Sequence, residues 1–178
     1  RSKMKVKQTV INIVLLLLFS VFQFSLPLLR LFGAAPFWLL AYAVCLSVSE
    51  PSPVVAVVFS AVAGMITDFS SGGFFGHNTL WFIVIAYLSV FFVSKLFSRN
   101  FKTAVFIFSV GMLIMKVLYY LMYAVGKKDF SFFGEILHDF LPVYLLSLPV
   151  LVAVYFIYSR FYYRNPDVRV SRRAVHRR

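Results

Sequence analysis

The sequence is poor in charged residues, and it is poorest in acids. Asp and Glu number six against eighteen Lys and Arg, and charged residues make up only 13% of the 178 residues. Hydrophobic residues make up 61% and aromatic residues 19%. A soluble domain of this size could not bury so much apolar surface. The composition therefore excludes a soluble globular protein and indicates that lipid is the solvent.

The side chains that carry chemistry are also scarce. A single cysteine, Cys45, lies in an apolar run, which excludes a disulfide within the chain and is typical of packing. His77 and His138 have no third ligand at metal-site spacing. An enzyme acting on a lipid-linked precursor would have only Asp68 and Lys116 to use inside the membrane. We therefore predict a non-enzymatic protein, with no catalytic residues, no metal and no cofactor.

Long apolar runs predict an all-α integral membrane protein, a bundle of six transmembrane helices. The predicted spans are Val10–Leu29, Leu31 or Pro36 to Val48, Pro53–Phe69, Thr79–Leu96, Thr103–Val125 and Phe140–Tyr158. The second and third are short and are joined through two prolines, so four spans with one re-entrant pair is an open alternative. The predicted organisation is a basic cytoplasmic amino terminus (1–9), a transmembrane domain (10–161) and a disordered basic cytoplasmic tail (162–178).

The positions of Lys and Arg predict the orientation. If the amino terminus is cytoplasmic, fourteen of the eighteen basic residues lie on the cytoplasmic side. Trp38 and Trp81 then open helices at the outer interface, where indole rings prefer to lie. Both termini are therefore predicted to be cytoplasmic and the loop from Asp68 to Asn78 extracytoplasmic. The basic tail is expected to contact anionic lipid, and without an aromatic platform it does not predict nucleic-acid binding.

The third span has one face of small residues. Ala56, Ser60 and Gly64 recur every four residues, and Asp68 continues the same register. Such a strip lets helices approach closely. Two roles stay open: the strip and the following loop hold a partner helix, or the strip packs within the bundle while Asp68 caps the next turn through Ser70, Ser71 and glycine amides.

The loop after Asp68 has the composition of a built turn. Gly72 and Gly73 can supply positive φ, and Gly76 a second tight position. Asn78 or Thr79 is predicted to cap the fourth span at its amino end.

Two further polar features need an explanation in a membrane. Lys116 lies within the fifth span, where burial of a charge costs roughly 3 kcal/mol or more. We predict that Lys116 faces the bundle interior and pairs with Asp68; the alternative is that it extends toward the outer headgroups. The segment Asp129–Leu141 has apolar residues at helical spacing, which predicts a helix lying flat on the outer leaflet.

The end of the third span carries a recognisable pattern. It reads Gly-x-x-x-Asp-x-x-Ser-Gly-x-x-x-Gly-x-Asn-x-Leu and is made by Gly64, Asp68, Ser71, Gly72, Gly76, Asn78 and Leu80. With six spans in so short a chain, this pattern resembles the rod shape-determining protein MreD family. Pro53 ahead of the third span and the aromatic Tyr87 in the fourth also fit that family.

The resemblance implies a non-enzymatic component of the bacterial elongation machinery in the inner membrane. The expected partners are the single-span protein MreC, the glycosyltransferase RodA, a class B transpeptidase and, indirectly, MreB filaments. It also implies a helical fold shared with the substrate-binding components of energy-coupling-factor vitamin transporters. A transporter component of that type is therefore the alternative function. The first span lacks the Ala-x-x-x-Ala strip of such components, which favours the scaffold.

Overall fold

The computed structural model describes residues 2–25, 36–50, 52–71, 75–95, 100–127 and 132–162. Within these ranges the chain is all-helical, with no strand, which confirms the predicted class. The six helices are α1 (Ser2–Ser25), α2 (Trp38–Ser49), α3 (Pro53–Ser71), α4 (His77–Lys95), α5 (Phe101–Lys127) and α6 (Phe132–Tyr162).

Three of these helices are long and apolar enough to cross a membrane. Their apolar windows are Pro53–Ser70, Phe101–Leu121 and Phe140–Arg160. The apolar parts of the other described helices are shorter, at Gln8–Phe24, Trp38–Ser49 and His77–Val93. The membrane character follows from these lengths. The six-span count and the resemblance to transporter components stay predictions.

Helix α2 lies at the centre of the bundle. It packs against all five other helices, and every residue from Leu39 to Ser49 is buried. Its sequence is apolar on all sides, as expected for a helix with no lipid- or water-facing stripe. Its 12 residues rise about 18 Å, well short of the roughly 30 Å hydrocarbon core. The other helices therefore enclose α2, and its side chains form the middle of the core.

Side chains from other helices satisfy the amino end of α2. Phe37 stands at the N-cap position and offers no side-chain acceptor. Instead, the Phe37 amide donates to Ser147 Oγ of α6 at 3.0 Å, and the Trp38 amide donates to Gln23 Oε1 of α1 at 3.1 Å. Two of the amides that a helix start leaves unpaired are thus used to join three helices.

A buried polar cluster joins the same three helices deeper in the bundle. Asn12, Tyr42 and Tyr158 are all fully buried. The Tyr42 hydroxyl donates to the Asn12 carbonyl at 3.1 Å, and the Tyr158 hydroxyl donates to Asn12 Oδ1 at 3.4 Å. Such bonds between helices fix their register in an environment where packing alone is weakly specific.

Helix α6 corrects one prediction. The segment expected as a separate surface helix is continuous with the last span from Phe132 onward, through Pro142 and Pro149, to Tyr162. Neighbouring helices make interior prolines tolerable in membrane helices. The 31 residues rise about 46 Å, so the first turns of α6 extend past its apolar window. Residues 129–131 lie outside the described residues.

Candidate functional site

The small-residue face of α3 is buried within the chain. Ala56 and Ser60 are fully buried, Gly64 is buried, and Asp68 is 4% exposed. At Gly64 this face meets the start of α4: a Cβ added there would lie 2.5 Å from Thr79 Cα and 3.1 Å from the Asn78 carbonyl oxygen. The strip thus serves a close contact between α3 and α4. Binding of a partner helix at this face stays a prediction.

One carboxylate organises the amino end of α4. Asp68 Oδ1 accepts a hydrogen bond from the Asn78 amide at 2.9 Å, and Oδ2 accepts from the Gly76 and Thr79 amides, each at 3.0 Å. The Thr79 hydroxyl also donates to Oδ2. Because α4 begins at His77, the Asn78 and Thr79 amides belong to its first turn and the Gly76 amide directly precedes it, where a negative charge also favours the helix dipole.

This geometry confirms that Asp68 acts as a cap and corrects the predicted details. A glycine amide does donate to Asp68, but Asn78 and Thr79 lie inside α4 and do not form its N-cap. The acid on α3 takes the place of a local capping side chain. Gly76 has φ +90°, which confirms the predicted tight position. Gly72, Gly73 and the side chain of Ser71 lie outside the described part of the chain.

Helices α3 and α4 form a helical hairpin, and its outward side carries an aromatic pair that sequence reasoning missed. Phe69 is 73% exposed and Phe75 is 71% exposed, and their rings meet edge to face with centroids 5.2 Å apart. The helical spacing of the exposed residues on α3 could have revealed this face; they are Val54, Val58, Val62, Met65 and Phe69.

Lys116 contacts the start of α2. Its Nζ lies over the Phe37 ring, 5.7 Å from the centroid, in cation–π geometry. Three residues further along α5, the Tyr119 ring meets His77 at the amino end of α4, with centroids 5.9 Å apart. Lys116 and Asp68 are thus each engaged with a helix start, α2 for the lysine and α4 for the acid. The ion pair between them stays a prediction.

A comparison with known protein families finds the same family that the motif at the α3–α4 junction resembles. A family model described as rod shape-determining protein MreD matches residues 3–164. The chain belongs to the MreD family. Membership indicates a membrane protein with a role in determining rod shape, in a family that is structural rather than known for an enzymatic activity. No curated protein and no solved structure matches the chain.

The described residues of the MreD-type motif are divided between the end of α3 and the start of α4. Gly64 and Asp68 on α3 meet Gly76 and Asn78 at the start of α4, so these four residues form one site. Ala56 and Ser60 continue the buried face of α3 away from the hairpin. Leu80 is exposed on α4. The described residues of the motif therefore join the end of α3 to the start of α4.

Proposed function

We propose that this MreD-family chain is a non-enzymatic membrane scaffold of the bacterial cell-wall elongation complex. It binds the single-span protein MreC and supports RodA and a class B transpeptidase, with an indirect link to MreB. The protein lies in the inner membrane with both termini cytoplasmic. The observation that carries this proposal is the family match, which extends over residues 3–164.

The hydrogen bonds and the burial of Asp68 support a structural role for this residue. Both of its oxygens accept hydrogen bonds from the α4 start, and the residue is almost completely buried. A carboxylate used in this way holds two helices together and is poorly placed to move a proton. The one acid of the motif thus serves to hold α3 against the start of α4.

The outward side of the hairpin is the partner surface that we favour. The Asp68 cap and the backbone contact at Gly64 hold the end of α3 against the start of α4, beside the Phe69–Phe75 pair. Rigid aromatic residues supply large contact area at low entropic cost, and they often dominate binding energy. A transmembrane helix of MreC can lie along the exposed face of α3 and end against this pair.

Co-purification with tagged MreC in mild detergent tests the proposal. The Phe69→Ala/Phe75→Ala variant should recover at least tenfold less MreC than the unaltered chain, because loss of two hot-spot rings costs about 2 kcal/mol or more. Phe106→Ala/Phe156→Ala removes two exposed phenylalanines from α5 and α6 and is the matched control. Equal MreC recovery by the two variants would place the contact elsewhere, and no MreC recovery by the unaltered chain would refute the scaffold.

The transporter alternative predicts a different result from the same preparation. Mass spectrometry of the purified chain would then find a tightly held vitamin-like molecule or an ATPase-linked membrane partner. The position of α2 supports the scaffold instead, because its side chains occupy the centre of the bundle.

A further inference from the structure

Helix α4 turns one side away from the bundle, and a tyrosine lies on that side. Tyr87 is 60% exposed. Beyond the first turn of α4 the buried residues lie on the opposite side of the helix; they are Phe82, Ile85, Ala86, Ser89 and Val93. Among the residues that the structure describes, none forms a hydrogen bond with the Tyr87 hydroxyl. The side chain of Tyr87 therefore points to whatever surrounds the bundle.

Two contacts between α4 and α5 give the depth of Tyr87. A Cβ added at Gly111 would lie 3.0 Å from Ile85 Cδ1. The His77 ring meets the Tyr119 ring, and both helices advance eight residues between the two contacts, so one antiparallel register accounts for both. Gly111 is the middle residue of the apolar window of α5, whose 21 residues rise about 30 Å, the thickness of the hydrocarbon core. Tyr87 is two residues from Ile85 and therefore lies about 3 Å from the middle of that window.

A hydroxyl at this depth needs a hydrogen-bond partner, because the hydrocarbon core has no water to supply one. Tyrosines that face lipid prefer the two interfaces, and the exposed Tyr119 lies two residues from the end of the α5 window. The hydroxyls of Tyr42, Tyr144 and Tyr158 each have a partner within the chain. Tyr87 follows neither pattern. Its partner is therefore expected on another molecule.

The exposed side of α4 has the spacing of a helix-packing seam. The residues of this α4 seam follow one another at intervals of four, three and four residues; they are Leu80, Val84, Tyr87 and Phe91. Val84 is half-buried and the other three are exposed. Two parallel membrane helices that cross at about 20° pack through such a heptad spacing. Apolar residues at this spacing would by themselves suit lipid, but the tyrosine hydroxyl among them does not.

We propose that the α4 seam packs against the same seam of a second copy of this chain, with the two Tyr87 hydroxyls hydrogen-bonded to each other. Copies in one membrane share their orientation, so a two-fold axis along the membrane normal makes their α4 helices parallel and brings both Tyr87 residues to the same depth. A hydroxyl both donates and accepts, so Tyr87 is complementary to itself. A different protein would need a polar group at that depth, whereas a second copy always has one. The dimer rests on the membrane location proposed above and is independent of MreC.

Fluorescence energy transfer measures the association of the full chain, labelled at its carboxyl end with donor or acceptor, in phosphatidylcholine vesicles at decreasing protein-to-lipid ratio. The unaltered chain should associate, and unlabelled chain should compete. Tyr87→Phe should raise the dissociation constant about fivefold, as expected for one hydrogen bond between membrane helices. Unfolding of the single chain should be unchanged, because the hydroxyl has no bond among the described residues. Tyr119→Phe makes the same change at another exposed tyrosine and should leave the dissociation constant within about twofold.

Oxidative cross-linking in the same vesicles locates the contact. Val84→Cys should join two copies, whereas Phe156→Cys, at an exposed position of α6, should not. Cys45 is buried and present in every variant.

The dimer is overturned if the unaltered chain stays monomeric or if Tyr87→Phe leaves the dissociation constant unchanged. It is also overturned if Tyr119→Phe weakens association as much, or if Phe156→Cys cross-links and Val84→Cys does not. A monomeric chain whose Tyr87→Phe variant recovers less of another membrane protein would assign the α4 seam to that protein. The vesicles contain no MreC, so the outcome with MreC and the outcome here can fail separately.

Discussion

A methyl group on Gly64 would lie 2.5 Å from Thr79 Cα, so α3 and α4 meet backbone to backbone at this point. The neighbouring atoms, the Thr79 nitrogen at 3.0 Å and the Asn78 carbonyl oxygen at 3.1 Å, are also backbone. Backbone cannot move aside as a side chain can. The same two residues donate their amides to Asp68, so the close approach and the cap depend on each other.

Gly64→Ala should therefore destabilise the protein by about 3 kcal/mol, at the upper end of the usual cost of overpacking. SDS-induced unfolding followed by circular dichroism measures the change. Gly111→Ala on α5 is the matched control, because the three atoms nearest its Cβ all belong to the Ile85 side chain, at 3.0–3.5 Å, and none is backbone. The gain in helix propensity should leave that variant within about 1 kcal/mol of the unaltered chain. Equal losses in the two variants would show that α3 and α4 can separate at little cost.

Asp68→Asn should loosen the start of α4. Asparagine keeps one acceptor oxygen and turns an NH2 group toward the donors of Gly76, Asn78 and Thr79. Loss of the charged bonds should cost about 2 kcal/mol and raise amide hydrogen exchange at residues 76–79 roughly 30-fold. Thr79→Val removes only the hydroxyl bond and should have a smaller effect on exchange. Unchanged exchange in Asp68→Asn would mean that α4 is capped by other groups.

Each hydrogen bond of the Asn12 cluster should make its own contribution to the free energy of unfolding. Tyr158→Phe and Tyr42→Phe should each cost about 1 kcal/mol, as usual for hydrogen bonds between membrane helices. Because Tyr158 bonds the Asn12 side chain, Tyr158→Phe should cost less in an Asn12→Ala background. Tyr87→Phe, at an exposed tyrosine on α4, should cost nothing measurable. Full additivity of the Asn12 and Tyr158 changes would contradict the bond.

The predicted ion pair of Lys116 and Asp68 is tested by a double-mutant cycle. A charge swap is unsuitable, since a lysine at position 68 cannot accept hydrogen bonds from α4 amides. Lys116→Gln and Asp68→Asn should show a coupling of about 1 kcal/mol if the side chains interact. Additive losses within about 0.5 kcal/mol would leave the Phe37 ring as the contact that matters for Lys116.

Hydropathy predicted where the helices lie better than where they end. Pro53 begins α3 as expected, because its missing amide suits a first helical turn. Helix α1 begins at Ser2 and α6 at Phe132, each eight residues before the predicted span. Apolar runs report contact with lipid or protein, whereas a helix continues until its backbone bonds are interrupted. The polar first turns of α1 are therefore invisible to hydropathy, whereas at the start of α6 a helix was predicted but not its continuity with the last span.

Single residues of the α3–α4 hairpin also show what the sequence could predict and what it could not. The spacing of Ala56, Ser60, Gly64 and Asp68 correctly placed all four on one face of a helix. It could not say what that face meets, because helical periodicity defines faces and leaves their partners open. Phe69 was missed although it shares helical spacing with the other exposed residues of α3, because in an apolar sequence a single exposed phenylalanine cannot be told from a buried one.

The sequence by itself determined the membrane class, the six helical segments and the Asp68 turn, because composition, apolar length and turn chemistry are local properties. Only the tertiary structure decided that α2 is the enclosed helix, that Asp68 caps α4, and that Tyr158 of α6 reaches Asn12 of α1. These facts depend on which helices are neighbours. In a chain where nearly every face is apolar, hydropathy does not distinguish a face that meets lipid from one that meets another helix. Close backbone contacts and a few buried hydrogen bonds make that choice.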